Sequence, residues 1–216
     1  MAMMATFGGA SKTQERGEGH DWRGPLMAAL RCIRAGNSAD AMPHLELAYR
    51  HGPQIPEVCL AYGRELVLRE DAQGIPLLEL AHREEPGLSA ATCELTRALS
   101  ERGDHGRATH VIEEGLQRHP RDPLLWIVRG ETALACDDHP NAENAAQRAL
   151  ALSREDDRVC LAANAILARC ENQRGTELGK AGEIQPELFS FKRARDLDPR
   201  WAAPLANMGT TFSLLG

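Results

Sequence analysis

Lysine is nearly missing from this chain. Only Lys12, Lys180 and Lys192 stand among 25 basic residues, and 31 acidic residues bring the net charge to -6. Nucleic-acid binding ordinarily needs a basic stripe or patch. None is visible along the sequence, so nucleic acid is not expected as a partner. Long hydrophobic runs are missing too: no segment reaches the roughly 18 consecutive apolar residues of a membrane-spanning helix, and no membrane partner is expected. Residues 1–20 lack the basic start and apolar run of a secretory signal. They mix glycine, serine, lysine and glutamate without a periodic apolar face, and a disordered tail is expected there. These absences together suggest a cytoplasmic protein.

Reactive constellations are also absent. The six cysteines (Cys32, Cys59, Cys93, Cys136, Cys160 and Cys170) are dispersed and form no CxxC pair, which argues against a disulfide framework or a structural zinc site. No metal-ligating or catalytic role is expected for any of the eight histidines. GxGxxG, P-loop, HExxH and GxSxG motifs are missing. Glu84-Glu85 and Glu113-Glu114 look like paired carboxylates, but adjacent helical residues point about 100° apart. They read as solvated helix faces. No enzyme activity, metal or cofactor is expected.

What is present is a repeat. With Pro123 as position 1 of a frame of about 34 residues, Trp126 falls at position 4, Gly130 at 8, Ala142 at 20 and Ala149 at 27. The preceding unit, from Ser89, has Leu95 at 7, Leu99 at 11, Ala108 at 20, Ile112 at 24 and Pro120 at 32. A unit from Pro56 has Tyr62 at 7, Gly63 at 8 and Leu66 at 11; with its turn one residue shorter than the frame, Leu78, Ala81 and Pro86 fall at 24, 27 and 32. The first unit, from Trp22, places Ala41, Leu45, Ala48 and Pro53 at 20, 24, 27 and 32. Two helices and two turns of this length cannot bury their own apolar faces, so such units are stable only when stacked.

This skeleton resembles the tetratricopeptide repeat over roughly residues 22 to 212. Departures such as Ala29, Thr96, Gly74 and Gly115 keep small residues where small ones are usual. The resemblance implies an all-α fold, a right-handed superhelical solenoid of antiparallel helix hairpins. The steric reason for the skeleton is that packed helix axes lie about 8–10 Å apart, so side chains at the crossings must be small. Proline at 32 ends the second helix of each pair, since it has no amide donor and restricts its predecessor.

Local signals set the boundaries. Asp122 before Pro123 reads as an N-cap with proline at the first helical position. Ser89 is a candidate cap for the helix through Ser100, and Gly103-Asp104 and Asp137-Asp138 mark tight turns. Four hairpins are expected between Trp22 and Arg154. The fifth has a first helix from Asp157 to about Glu171 and a second marked by Phe191, Ala194 and Pro199; between them the three-glycine stretch Asn172–Gly182 is expected as an inserted surface loop. The frame restarts at Ala202, with Leu205 at 4, Gly209 at 8 and Phe212 at 11, and gives one last helix. The expected organisation is therefore a tail over 1–20 and one repeat domain over 21–216, with about five helix pairs, an insertion near 172–182 and a final single helix. Apolar Phe212, Leu214 and Leu215 make self-association through that helix an expectation.

In tetratricopeptide proteins, ligand contacts commonly come from positions 2, 5, 9, 12 and 13 of the first (A) helices. By that resemblance the candidate peptide-groove residues are Leu60, Arg64, Arg97, Glu101, Ile127, Glu131 and Arg169. Arg64 and Arg97, both at position 9, can grip a carboxylate with planar donor forks, and Leu60 and Ile127 can seat apolar side chains. The lysine and asparagine clamp of chaperone-tail-binding members is absent at these positions. The expected function is a non-catalytic interaction scaffold or adaptor with a protein or peptide partner, acidic or bearing a free C-terminal carboxylate. The alternative is a helical repeat region or accessory subunit of a larger enzyme assembly of transferase or hydroxylase type.

Overall fold

The computed structural model describes residues 21–153 and 156–214. The tail expected over 1–20 and Leu215 lie outside the described residues. Among these, the chain forms eleven helices and no strand: α1 (Arg23–Arg34), α2 (Ser38–His51), α3 (Pro56–Val67), α4 (Gly74–Glu84), α5 (Ser89–Glu101), α6 (His105–Arg118), α7 (Pro123–Ala135), α8 (His139–Leu152), α9 (Asp157–Lys180), α10 (Ile184–Leu197) and α11 (Ala203–Leu214). The helices group into two compact units, divided between Gly103 and Asp104.

In the first unit, α1 pairs with α2 and α3 with α4. The repeat alanines do what their size allows: Ala29, Ala41 and Ala48 are fully buried with Leu26, Leu45 and Val58 in one cluster. Gly63 lies against α4, where a Cβ would sit 3.0 Å from the Gly74 carbonyl oxygen and from the Leu77 Cβ. The departure at Gly74 has its own reason: a Cβ there would meet the backbone nitrogen of Val67 at 2.7 Å. Thr96, in the small position of α5, is buried and donates its hydroxyl to the Thr92 carbonyl at 2.8 Å. Buried Glu65 is held by Arg69 at 2.9 Å, and Arg69 also donates to the Ser38 carbonyl at 2.8 Å. One correction is small. Ser89 is the first helical residue of α5 and Leu88 occupies the N-cap, with no side-chain bond there.

The second unit follows the frame through α8. Asp104, Asp122, Asp138 and Asp156 each cap a helix by accepting a backbone N–H. Asp137 adopts the left-handed conformation at φ 55° in the turn before α8. The Trp126 indole donates to the Pro120 carbonyl at 2.9 Å, tying position 4 of one repeat to position 32 of the one before. Ala142, Ala146 and Ala149 are buried against Ile127, Ala163 and Ile166. A Cβ at Gly130 would lie 2.9 Å from the tip of Ile166 and 3.6 Å from the Ala145 Cβ, so α7 and its neighbours approach there without room for a side chain.

The inserted stretch is not a loop. α9 continues for 24 residues to Lys180, and only Ala181–Glu183 separate it from α10. The extra residues lengthen one helix by several turns. Gly175 and Gly179, four apart and so on one face, are packing positions: a Cβ on Gly175 would strike the Phe191 ring at 2.6 Å, and one on Gly179 the Glu187 carboxylate at 2.6 Å. Of the three glycines only Gly182 makes the turn, at φ 78°. Each helical glycine costs about 1 kcal/mol relative to alanine, which the close seating of α10 offsets. α9 thus serves two neighbourhoods: Val159, Ala163, Ile166 and Cys170 belong to the α7/α8 core, and the remainder packs on α10 and α11.

Candidate functional site

The seven candidate residues divide between the units. Leu60 and Arg64 lie on α3, and Arg97 and Glu101 on α5, in the first; Ile127 and Glu131 lie on α7, and Arg169 on α9, in the second. Leu60 and Ile127, expected to seat apolar ligand side chains, are only 8% and 2% exposed. Both are buried in the helix packing. Ile127 in particular is part of the α7/α8/α9 core, because position 5 sits where the A helix turns inward to its neighbours. Exposed Leu161, at the same position on α9, is the apolar side chain that remains on the surface.

The charged candidates do reach solvent. Arg64 is partly exposed, and its Nε stands 3.9 Å from a carboxylate oxygen of Glu94 on α5. That separation exceeds hydrogen-bond length, so the contact is a loose ion pair in a partly solvated position, worth about 0–1 kcal/mol. Arg97 is half-buried on α5, one helical turn beyond Cys93 on the chain's own floor, and Glu101 is exposed at the end of the same helix. In the second unit Glu131 is exposed. Arg169 is exposed as well and holds its guanidinium 5.9 Å from the centroid of the Trp201 ring, a cation–π distance.

Glu94 and Trp201 were missed because the ligand positions carried over from the family do not include theirs. Glu94 lies at position 6, and Trp201 just ahead of α11. A further group had no sequence signal at all. Buried Glu171 accepts from Arg174 at 3.0 Å and pairs with Arg193 of α10 at 3.1 Å, while Arg174 also reaches Glu143 of α8 at 2.9 Å. This network crosses three helices and depends on α9 continuing past Glu171.

Chemistry is sparse elsewhere. Burial pushes the Cys59 and Cys170 thiols up to about 11, which keeps both protonated and unreactive. Cys59 donates to the Pro53 carbonyl at 3.3 Å and Cys170 to that of His139 at 3.6 Å. All six cysteines are free thiols. Among the described residues no group of three His, Cys, Asp or Glu side chains is placed to hold a metal ion, and no helix is long and apolar enough to cross a membrane.

No protein-family model matches the sequence, and no curated protein matches it. Solved structures do match the fold. A thermophilic tetratricopeptide-repeat protein of Thermus thermophilus superposes with a TM-score of 0.60 at 18% identity, over 89% of this chain and 99% of its own. Cut9–Hcn1, a hetero-tetramer of APC/C, gives 0.67 at 16% identity over 88% of this chain and 36% of the matched one. PilF of Pseudomonas aeruginosa gives 0.64 at 15% identity, over 90% and 84%. The fold is that of the tetratricopeptide-repeat proteins, an all-α helical-repeat class.

Proposed function

We propose that the chain is a non-catalytic cytoplasmic scaffold or adaptor and that the A-helix face of its first unit takes an acidic segment or a C-terminal carboxylate of a partner protein. The observation that carries this reading is Arg64 on α3. It is partly exposed above buried Leu60 and is matched only by a loose pair with Glu94. Arg97 holds the equivalent position on the adjoining α5. A ligand carboxylate that replaces Glu94 gains two parallel N–H···O bonds from a guanidinium, the geometry in which arginine binds best. The buried floor lends rigidity, so little order is lost on binding. Among the neighbours, Cut9–Hcn1 is itself an assembly of different chains, in keeping with a protein partner. Self-association through α11, also expected from the sequence, uses a different surface.

The test is recovery of the partner by pull-down and mass spectrometry, followed by calorimetric titration of its binding segment. Well-formed charge-assisted hydrogen bonds contribute about 1.5–3 kcal/mol each, so the Arg64→Ala, Arg97→Ala double variant is expected to lose at least about tenfold in affinity. Amidating a C-terminal ligand carboxylate should reproduce the loss. Unchanged affinity of the double variant at physiological salt places binding elsewhere.

A further inference from the structure

Several arginines of the second unit are answered by carboxylates: Arg129 meets Glu113, Arg174 meets Glu143 and Glu171, and Arg193 meets Glu171. Arg169, on the same helix as Arg174, is exposed and lies instead over the Trp201 ring. Among the described residues no carboxylate pairs with it. A guanidinium held by its flat face keeps its in-plane N–H groups for an anion, and the ring restricts the rotamers that binding would otherwise have to fix. The indole N–H of Trp126 is satisfied by the Pro120 carbonyl, whereas that of half-buried Trp201 has no acceptor among the described residues. Just beyond Trp201, Asn207 of α11 donates at 2.9 Å to Asn172, one turn past Arg169 on α9. Ring and arginine therefore belong to one fixed junction of α9 with α11. The same helix surface carries an apolar contact. Leu161, Ala165 and Arg169 follow at intervals of four, along one ridge of the helix. Leu161 is 59% exposed and Ala165 half-buried, while Val159, Ala163, Ile166 and Cys170 face the core.

We infer that this ridge is a second peptide site, for an extended segment of a partner protein that carries an apolar residue and an acidic one four positions apart. The acidic side chain lies in the plane of the Arg169 guanidinium and accepts two parallel N–H bonds, with the Trp201 indole N–H as a further donor beside it. The apolar side chain covers Leu161, and the small side chain of Ala165 leaves room for the ligand backbone between the two contacts. Spacing selects the ligand. Eight residues of helix at 1.5 Å each separate Leu161 from Arg169 by about 12 Å along the axis. In an extended chain, side chains four residues apart point to the same side and stand about 13 Å apart. A helical ligand with the same spacing spans only about 6 Å and reaches one contact at a time. The inference does not rest on the Arg64 reading, since every residue in it belongs to the second unit.

Titration of the nitrogen-15-labelled full chain with the probe peptide acetyl-Leu-Ala-Ser-Ala-Glu-amide tests the inference, with the indole N–H resonances of Trp22, Trp126 and Trp201 as reporters. The Trp201 resonance is expected to move saturably while those of Trp22 and Trp126 stay in place. Replacing the probe's glutamate by glutamine, or Arg169 by alanine, is expected to weaken the response at least about tenfold. Arg169→Lys, which keeps the charge without the planar fork, should fall between. Moving the glutamate to two positions from the leucine should also weaken it, because the probe then reaches only one contact. A Trp201 resonance that does not move up to about 10 mM probe, or a response that survives Arg169→Ala in a variant of wild-type helicity, overturns the site. An equal response to the glutamine probe overturns the carboxylate, and an equal response to the shortened spacing overturns the role of Leu161. Inorganic phosphate that saturates the same shift as tightly as the probe overturns the peptide as ligand.

Discussion

The α7/α8 and α9/α10 hairpins belong to the same unit and are built on the same repeat skeleton, yet they differ in length and in what holds them. In α7/α8 a 13-residue helix meets a 14-residue one, and a single glycine, Gly130, marks the closest approach. In α9/α10 a helix of 24 residues meets one of 14, so the short helix covers only part of the long one. α10 is seated at the far end of α9 through Gly175, Gly179 and the Phe191 ring. The start of α9 is left to α7 and α8. The lesson is that a repeat can absorb an insertion inside a helix when the inserted residues supply a packing face of their own.

The largest expected effect falls on the residue that makes the longer hairpin possible. Phe191 is 2% exposed against Gly175, and Phe191→Ala is expected to cost about 3–5 kcal/mol by denaturant unfolding. Hydrogen exchange should show the loss concentrated in residues 172–180, with α7 and α8 still protected. Equal loss of protection in α8 would show that the two hairpins are one cooperative body.

Next come the glycines, which separate packing from flexibility. Gly130→Leu is expected to destabilise by about 1–3 kcal/mol through overpacking, against no measurable change for Arg121→Leu at an exposed site. Gly175→Ala sharpens the comparison, because alanine raises helix propensity by about 1 kcal/mol while its methyl group meets the Phe191 ring. A net fall in melting temperature identifies a packing glycine. A rise would mean that the ring moves aside freely and that the glycine is there for another reason.

The last effect, confined to alkaline pH, is a pH dependence shared by one thiol of each unit. Cys59 and Cys170 have thiols raised from 9.0 to about 11 by burial. The folded state holds these protons more tightly than the unfolded chain. The resulting stabilisation is fully present below pH 9.0, the unfolded value, and is lost as pH rises through about 11. Thermal melts across that alkaline window should show the decline. At mildly alkaline pH, exposed Cys136 should react with iodoacetamide well before Cys59 or Cys170.

Much of this was legible in one dimension. The alanines at 20 and 27, Gly63, Gly130 and the prolines at 32 report helix crossings directly, since a crossing tolerates only small side chains and a helix end tolerates proline. Asp122 announced its cap because an N-cap is satisfied within three residues of chain, whereas Asp138, read only as part of a tight turn, is also a cap. The Asn172–Gly182 stretch misled for a related reason: glycine serves both turns and tight helix contacts, and the partner that distinguishes them, Phe191, is 16 residues from Gly175 in sequence. The candidate residues differ in burial. Position 9 marked Arg64 and Arg97, both partly exposed, whereas position 5 marked Leu60 and Ile127, both buried.

The sequence by itself determined the repeat, the number of helices among the described residues and the all-α class, because those follow from periodicity within about 34 residues. Only the tertiary structure decided that α9 continues, that Glu94 stands beside Arg64 and that Glu171 joins Arg174 and Arg193. Each of these rests on side chains from different helices meeting in space. Burial and pairing between distant residues are properties of the packed chain, and no local pattern encodes them.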